Sequence, residues 1–207
     1  MHGMHYNLQD DIPEAIVDSF YLQTYVYGKF RESVEHNVKA MIAEYPRYQV
    51  IFTGHSLGGA LTLMAAYDAV KEGWVAQKQG SRPSPMIYTF GQPRPGNQVF
   101  QKAVDEKFEG TYYRVTHHRD IIPHIPPCVP DLFSNSTACI QGTGTDLMWY
   151  PTHAGIEVFF DGNTAQDYKV CEEIEDLGCA DQYIGYSIED HLFYLGIWDN
   201  CPGDGDH

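Results

Sequence analysis

Ser56 lies in GHSLGG, Gly54 to Gly59, the stretch of this sequence with the most explicit chemistry. A serine hydroxyl attacks a carbonyl only when a base takes its proton, and that base needs an orienting carboxylate. G-x-S-x-G between a strand and a helix sets the serine on a sharp, strained turn with its oxygen exposed. The turn also aims the helix N-terminus, and the backbone N–H of Leu57, at an oxyanion developing on the attacked carbonyl. Gly54 and Gly58 are expected to be glycines because side chains there would collide. The plain alternative is a glycine-rich turn without chemistry, and the flanking strand and helix patterns argue against it.

The acid and the base must come from elsewhere in the chain. In the α/β-hydrolase order they follow the serine as acid and then histidine. Asp120 comes directly after an apolar run, Tyr112 to Thr116, and so should stand at the carboxyl end of a strand. Open parallel sheets gather their reacting groups at that edge. The alternative for Asp120 is a loop carboxylate paired with Arg119 or Arg114. His191, late in the chain and beside Asp190, is the preferred base. The ten histidines of the chain leave rivals in His117, His118, His124 and His153. Those four could in principle hold zinc, but no compact ligand spacing such as H-E-x-x-H occurs. No metal and no cofactor is expected.

The elements that must position these groups follow from apolar periodicity. Phe30, Val34, Val38, Met41, Ile42 and Tyr45 recur at three- and four-residue steps and give a helix face that Pro46 ends. Tyr48 to Thr53 reads as a strand running into the serine turn, and ALTLMAAYDAV as a buried helix. Pro85 to Phe90 is a second strand, followed by the turn-rich GQPRPGN. Phe100, Val104 and Phe108 share a helix face before the Tyr112–Thr116 strand. Ile156 to Phe160 and Tyr168 to Cys171 flank the turn signal Asp161-Gly162. A closing helix is expected around His191 to Leu195. Strands alternating with helices predict a mostly parallel sheet with helices on both faces, an α/β architecture. No repeat, linker or composition break divides the chain, so residues 1–207 are expected to form one domain.

Composition narrows the partners. The formal charge of −15, from 28 acidic and 13 basic residues, repels nucleic-acid phosphates and anionic membranes, so neutral substrates fit better. An apolar content of 43% excludes a disordered chain. No apolar run reaches the length of about 18 residues that suggests a membrane span, and the first residues lack the basic start and apolar stretch of a signal peptide.

Four segments resemble the fungal-type class 3 lipases, secreted triacylglycerol lipases and related esterases of the α/β-hydrolase superfamily. YPRYQVIFTGHSLGGALTLMAA is similar to that family's nucleophile segment, and YTFGQPRPGN, Tyr88 to Asn97, to the stretch after its next strand. YRVTHHRDIIPHIPP, Tyr113 to Pro127, resembles the acid segment and places the aspartate at Asp120. EDHLFYLG resembles the final motif and places the base at His191. THAGIEVFF resembles a segment whose histidine is not the base, which counts against His153. The resemblance implies hydrolysis of triacylglycerol or related lipid esters at a lipid–water interface, with His55 a packing residue.

It also implies what the front of the chain lacks. Nothing in residues 1–26 resembles the family's leading strands, its GxRGS/T-like segment with the second oxyanion donor, or its lid. Leu57 N–H is therefore the one donor that can be inferred. A truncated product or a reduced member is expected, with one sheet edge uncovered and activity open between a working esterase and an idle lipid- or protein-binding remnant. Cys171 and Cys179, eight apart, make a good short bridge and resemble a family disulfide. Cys128 and Cys139 could pair around a loop that carries the sequon Asn135-Ser136-Thr137, and Cys201 is left over. Cysteines and resemblance together predict an extracellular protein.

Overall fold

The computed structural model describes residues 12, 14–27, 29–76, 83–128, 150–162, 164, 166–183 and 185–198. Four parallel strands make the centre of one sheet: β1 (Ile51–His55), β2 (Met86–Phe90), β4 (Tyr112–His117) and β6 (Ile156–Phe160), in that spatial order. A short antiparallel strand, β7 (Tyr168–Val170), closes the far edge. Two-residue strands β3 (Gly96–Asn97) and β5 (Pro151–Thr152) pair separately. The sheet is the mostly parallel one expected, flanked by helices α1 (Ser19–Tyr27), α2 (Phe30–Glu44), α3 (Leu57–Lys71) and α4 (Gln98–Lys107).

Burial explains the order. β4 is buried along almost its whole length, as a strand covered on both faces should be. Helix α3 follows β1 and is buried on nearly every side; Ala60, Ala65, Ala66 and Ala69 let neighbours approach while Leu63 and Met64 fill the core. Asp68 on α3 is buried too, and is satisfied by the Tyr25 hydroxyl at 2.9 Å and Arg31 Nε at 2.7 Å, which ties α1 and α2 to α3.

Three expectations are corrected. The first strand is Ile51–His55 rather than Tyr48–Thr53, because parallel pairing with β2 runs from Ile51 opposite Met86 to His55 opposite Phe90. The strand therefore reaches the serine without a gap. On α2, Val34, Val38 and Ile42 pack on the core, whereas Phe30, Met41 and Tyr45 of the same periodic set are exposed. The closing helix is a 3-10 turn, Asp190–Leu192, followed by a hairpin of β8 (Phe193–Tyr194) and β9 (Ile197–Trp198). Leu195 and Gly196 have φ of 54° and 84°, the pair of positive angles that a two-residue hairpin turn demands.

Among the described residues β1 forms the other edge of the sheet. Ile51 is 54% exposed, beside a shallow apolar groove formed with Val38, Met41, Tyr45, Tyr48 and Val50. No described helix is long and apolar enough to cross a membrane.

Candidate active site

Ser56 sits between the last residue of β1 and the first of α3, with φ 56° and ψ −132°. A non-glycine residue held there stores on the order of 1–3 kcal/mol of strain. Its N–H donates to Phe90 O at 2.9 Å and its carbonyl accepts from Gly59 N at 2.9 Å, so β2 and α3 both hold the turn. A Cβ on Gly54 would lie 2.3 Å from Gly58 O, which accounts for that glycine; one on Gly58 would meet nothing within 4 Å. The collision expected at Gly58 is instead met at Gly59, 3.0 Å from Gln92 Cβ. Leu57 begins α3, so its N–H is one of the helix's unpaired leading donors and lies directly after the serine.

His191 Nε2 lies 2.8 Å from Ser56 Oγ, and His191 Nδ1 lies 2.9 Å from Asp120 Oδ2. Residues 135 and 71 positions apart in sequence are thus in one hydrogen-bonded line. Asp120 lies just beyond β4, held by a bridge to Ser187, while Ser187 N donates to Arg119 O at 2.8 Å. These contacts lay the segment that carries His191 alongside the end of β4. His191 and Asp120 are buried, and Ser56 is partly open. His55 stacks on the His191 ring at 4.5 Å and its Nε2 donates to His191 O at 2.9 Å, so it supports that ring from behind.

The rival groups have other partners. His117 Nδ1 donates to Asp190 O at 3.1 Å, His118 Nδ1 meets Asp190 Oδ2 at 2.8 Å, and His124 Nδ1 meets Asp181 Oδ1 at 3.0 Å. His153 is fully buried and its Nε2 donates to Pro123 O at 2.7 Å. Burial first, then the nearby Arg114 charge, hold its imidazole well below the ordinary value, so it stays neutral. Arg114 pairs with Glu157 at 3.2 Å, and Arg119 lies over the Tyr183 ring, so neither draws Asp120 away. Among the described residues the one group with metal-like proximity is Cys171, Asp176 and Cys179, and its two cysteines are joined in a disulfide, the pairing expected. Cys139, Cys201 and the sequon at Asn135 lie outside the described residues, and with them the pairing expected for Cys128.

Two residues of the site escaped the sequence reading. The Tyr194 hydroxyl donates to Asp120 Oδ2 at 2.5 Å. Gly91, φ 54°, lies beneath the same oxygen: a Cβ there would be 2.6 Å from Asp120 Oδ2 and 2.9 Å from both His191 Nδ1 and the Tyr194 oxygen. Position three after the histidine, and a glycine opening a turn after β2, were the available signals.

A family model described as lipase (class 3) matches residues 2–130. The match takes in most of residues 1–26, where the sequence alone suggested no family segment. A lipase of Caenorhabditis elegans is 34% identical over 173 residues, 75% of this chain and 46% of that protein. A secreted mono- and diacylglycerol lipase of Fusarium solani is 30% identical over 180 residues, 82% of this chain and 45% of the relative. The structure of a triacylglyceride lipase of Rhizomucor miehei is similar at TM-score 0.71 and 29% identity, covering 95% of this chain and 64% of that one. The chain spans less than half the length of these two sequence relatives. The sheet order and these likenesses make the fold that of an α/β-hydrolase.

Proposed function

The chain belongs to the class 3 lipase family, and we propose that it hydrolyses carboxylic esters of acylglycerols, with Ser56 as nucleophile, His191 as base and Asp120 as orienting acid. The observation that carries the reading is the unbroken line from Ser56 Oγ through His191 to Asp120, at 2.8 and 2.9 Å. Ser56 Oγ adds to the ester carbonyl while His191 Nε2 takes its proton. Asp120 accepts from Nδ1–H, fixes the tautomer and stabilises the imidazolium. Leu57 N–H receives the oxyanion. The tetrahedral adduct collapses as His191 protonates the leaving alcohol. Water, deprotonated by His191, then adds to the acyl-serine, and collapse of the second adduct frees the acid and restores the hydroxyl.

The acylglycerol class is supported by the names of the Fusarium and Rhizomucor relatives. A strongly acidic chain that meets a neutral ester is consistent with it. Access to such a substrate at a lipid–water interface, and an extracellular setting, belong to the same proposal. The Cys171–Cys179 disulfide and the secreted relative support the setting.

Hydrolysis of a soluble short-chain p-nitrophenyl ester by this chain and by Ser56→Ala tests the reading. Turnover and fluorophosphonate labelling should both be lost in the variant, with a rate fall of about ten-thousandfold or more and an unchanged fold. Equal rates in the two folded proteins would overturn it.

A further inference from the structure

Three donors converge on the Asp120 carboxylate. Ile122 N donates to Oδ1 at 2.8 Å, while His191 Nδ1 at 2.9 Å and the Tyr194 hydroxyl at 2.5 Å share Oδ2. Tyr194 and His191 lie three residues apart, on β8 and on the 3-10 turn before it, so base and hydroxyl are delivered to one oxygen by one short segment. Asp120 Oδ2, His191 Nδ1 and the Tyr194 oxygen all crowd the position a Gly91 side chain would take. The phenol remains a donor at every working pH, because burial and then the Asp120 charge push its ionisation well above the ordinary value.

The Tyr194 ring also packs, edge-on against His55 at 5.6 Å and Phe90 at 6.1 Å. A phenylalanine would keep that packing and lose only the hydroxyl. A carboxylate turns easily about its Cβ–Cγ bond, and a single backbone donor on Oδ1 constrains that turn weakly. The Tyr194 hydroxyl, the third donor to the carboxylate and rooted in the core, bonds Oδ2 and fixes the rotation.

We propose that Tyr194 is a positioning residue for the reaction: its hydroxyl locks the Asp120 carboxylate so that Oδ2 faces His191, and shares that oxygen's charge with the imidazole N–H. The proposal rests on the triad reading above. A residue that only fills space does neither. Removing the hydroxyl leaves Oδ2 to His191 alone, a stronger acceptor on a looser carboxylate.

Tyr194→Phe separates the two roles. In the full chain, kcat for a soluble ester should fall about tenfold, the scale of a small loss of alignment, with KM unchanged. In proton NMR the His191 Nδ1 resonance should move downfield. A fluorinated tyrosine placed at the same position, a stronger donor of nearly the same size, should move it upfield, and this second variant decides the matter if the phenylalanine variant does not fold. In an Asp120→Asn background the phenylalanine change should add no further loss of kcat, since residues acting as one unit are not additive. An unmoved Nδ1 resonance in either variant, or a full additional loss in the Asn background, would overturn the proposal. Absence of Ser56-dependent turnover in the parent would sink the hydrolase reading alone, because the resonance still reports on Tyr194.

Discussion

Gly91 has no side chain because three polar atoms occupy the place where one would go. Gly91→Ala should therefore damage the site more than the fold. A methyl must push Asp120, His191 or Tyr194 by several tenths of an ångström, and the left-handed φ adds roughly 1 kcal/mol of strain. We expect kcat to fall about a hundredfold, with a modest loss of melting temperature; steady-state kinetics beside calorimetry check both, and near-normal turnover would show that the constellation tolerates the shift. Ser56, Asp120 and His191 were legible in the sequence because each has a chemical type, a chain order and a flanking pattern that chemistry constrains. Gly91 and Tyr194 were not, since a turn glycine and a tyrosine three residues after a histidine are too common as local patterns to mark a role. Their roles arise only when segments about 30 and 70 residues from Asp120 close on its carboxylate.

Among elements, α4 shows how the front of the chain is tied to the sheet. Asn97 caps it, its Oδ1 accepting from Phe100 N at 3.0 Å and from Ile16 N at 2.9 Å, while Nδ2 donates to Glu14 O at 2.8 Å. Asn97→Ala removes a cap and leaves two long-range backbone groups without that partner. It should cost about 3 kcal/mol of stability, read by urea unfolding, with turnover per folded molecule retained; a change below about 0.5 kcal/mol would contradict the role. Helices α2, α3 and α4 were legible because their apolar spacing runs over several turns. The segment after His191 was misread as helix because FYLG carries apolar spacing that suits either element, and the two positive φ angles at Leu195 and Gly196 decide for the hairpin. β1 was misplaced by about three residues for a similar reason: its ends are set by pairing with Met86–Phe90, which no local pattern announces.

For the whole molecule, buried charge sets the response to acid. Glu175 lies against Arg94 Nη2 at 2.9 Å; burial alone would raise its carboxyl, and the guanidinium outweighs that and holds it below the usual range. Its contribution is thus present above the unfolded carboxyl value and fades only in stronger acid. His153 beside it acts earlier. Its folded imidazole resists protonation whereas the unfolded one takes a proton near pH 6.5, so stability is intact above that value and falls below it by about 1.4 kcal/mol per pH unit. Glu157, raised by burial, acts in the opposite sense, losing stability as pH rises from the unfolded carboxyl value to its higher folded one. Melting temperatures of the parent and of His153→Gln between pH 7 and 5.5 should diverge, the variant declining less while it still hydrolyses ester. Parallel declines would mean that His153 titrates freely. The separation of 135 positions from Ser56 to His191 bears on a different matter, the making of the protein. A ribosome completes the turn at Ser56 well before His191 and Tyr194, which are added only after the strands of the five-stranded sheet have been translated. A growing chain thus carries Ser56 without its proposed base, and the line from Ser56 to His191 can close only after the strands between them have been made.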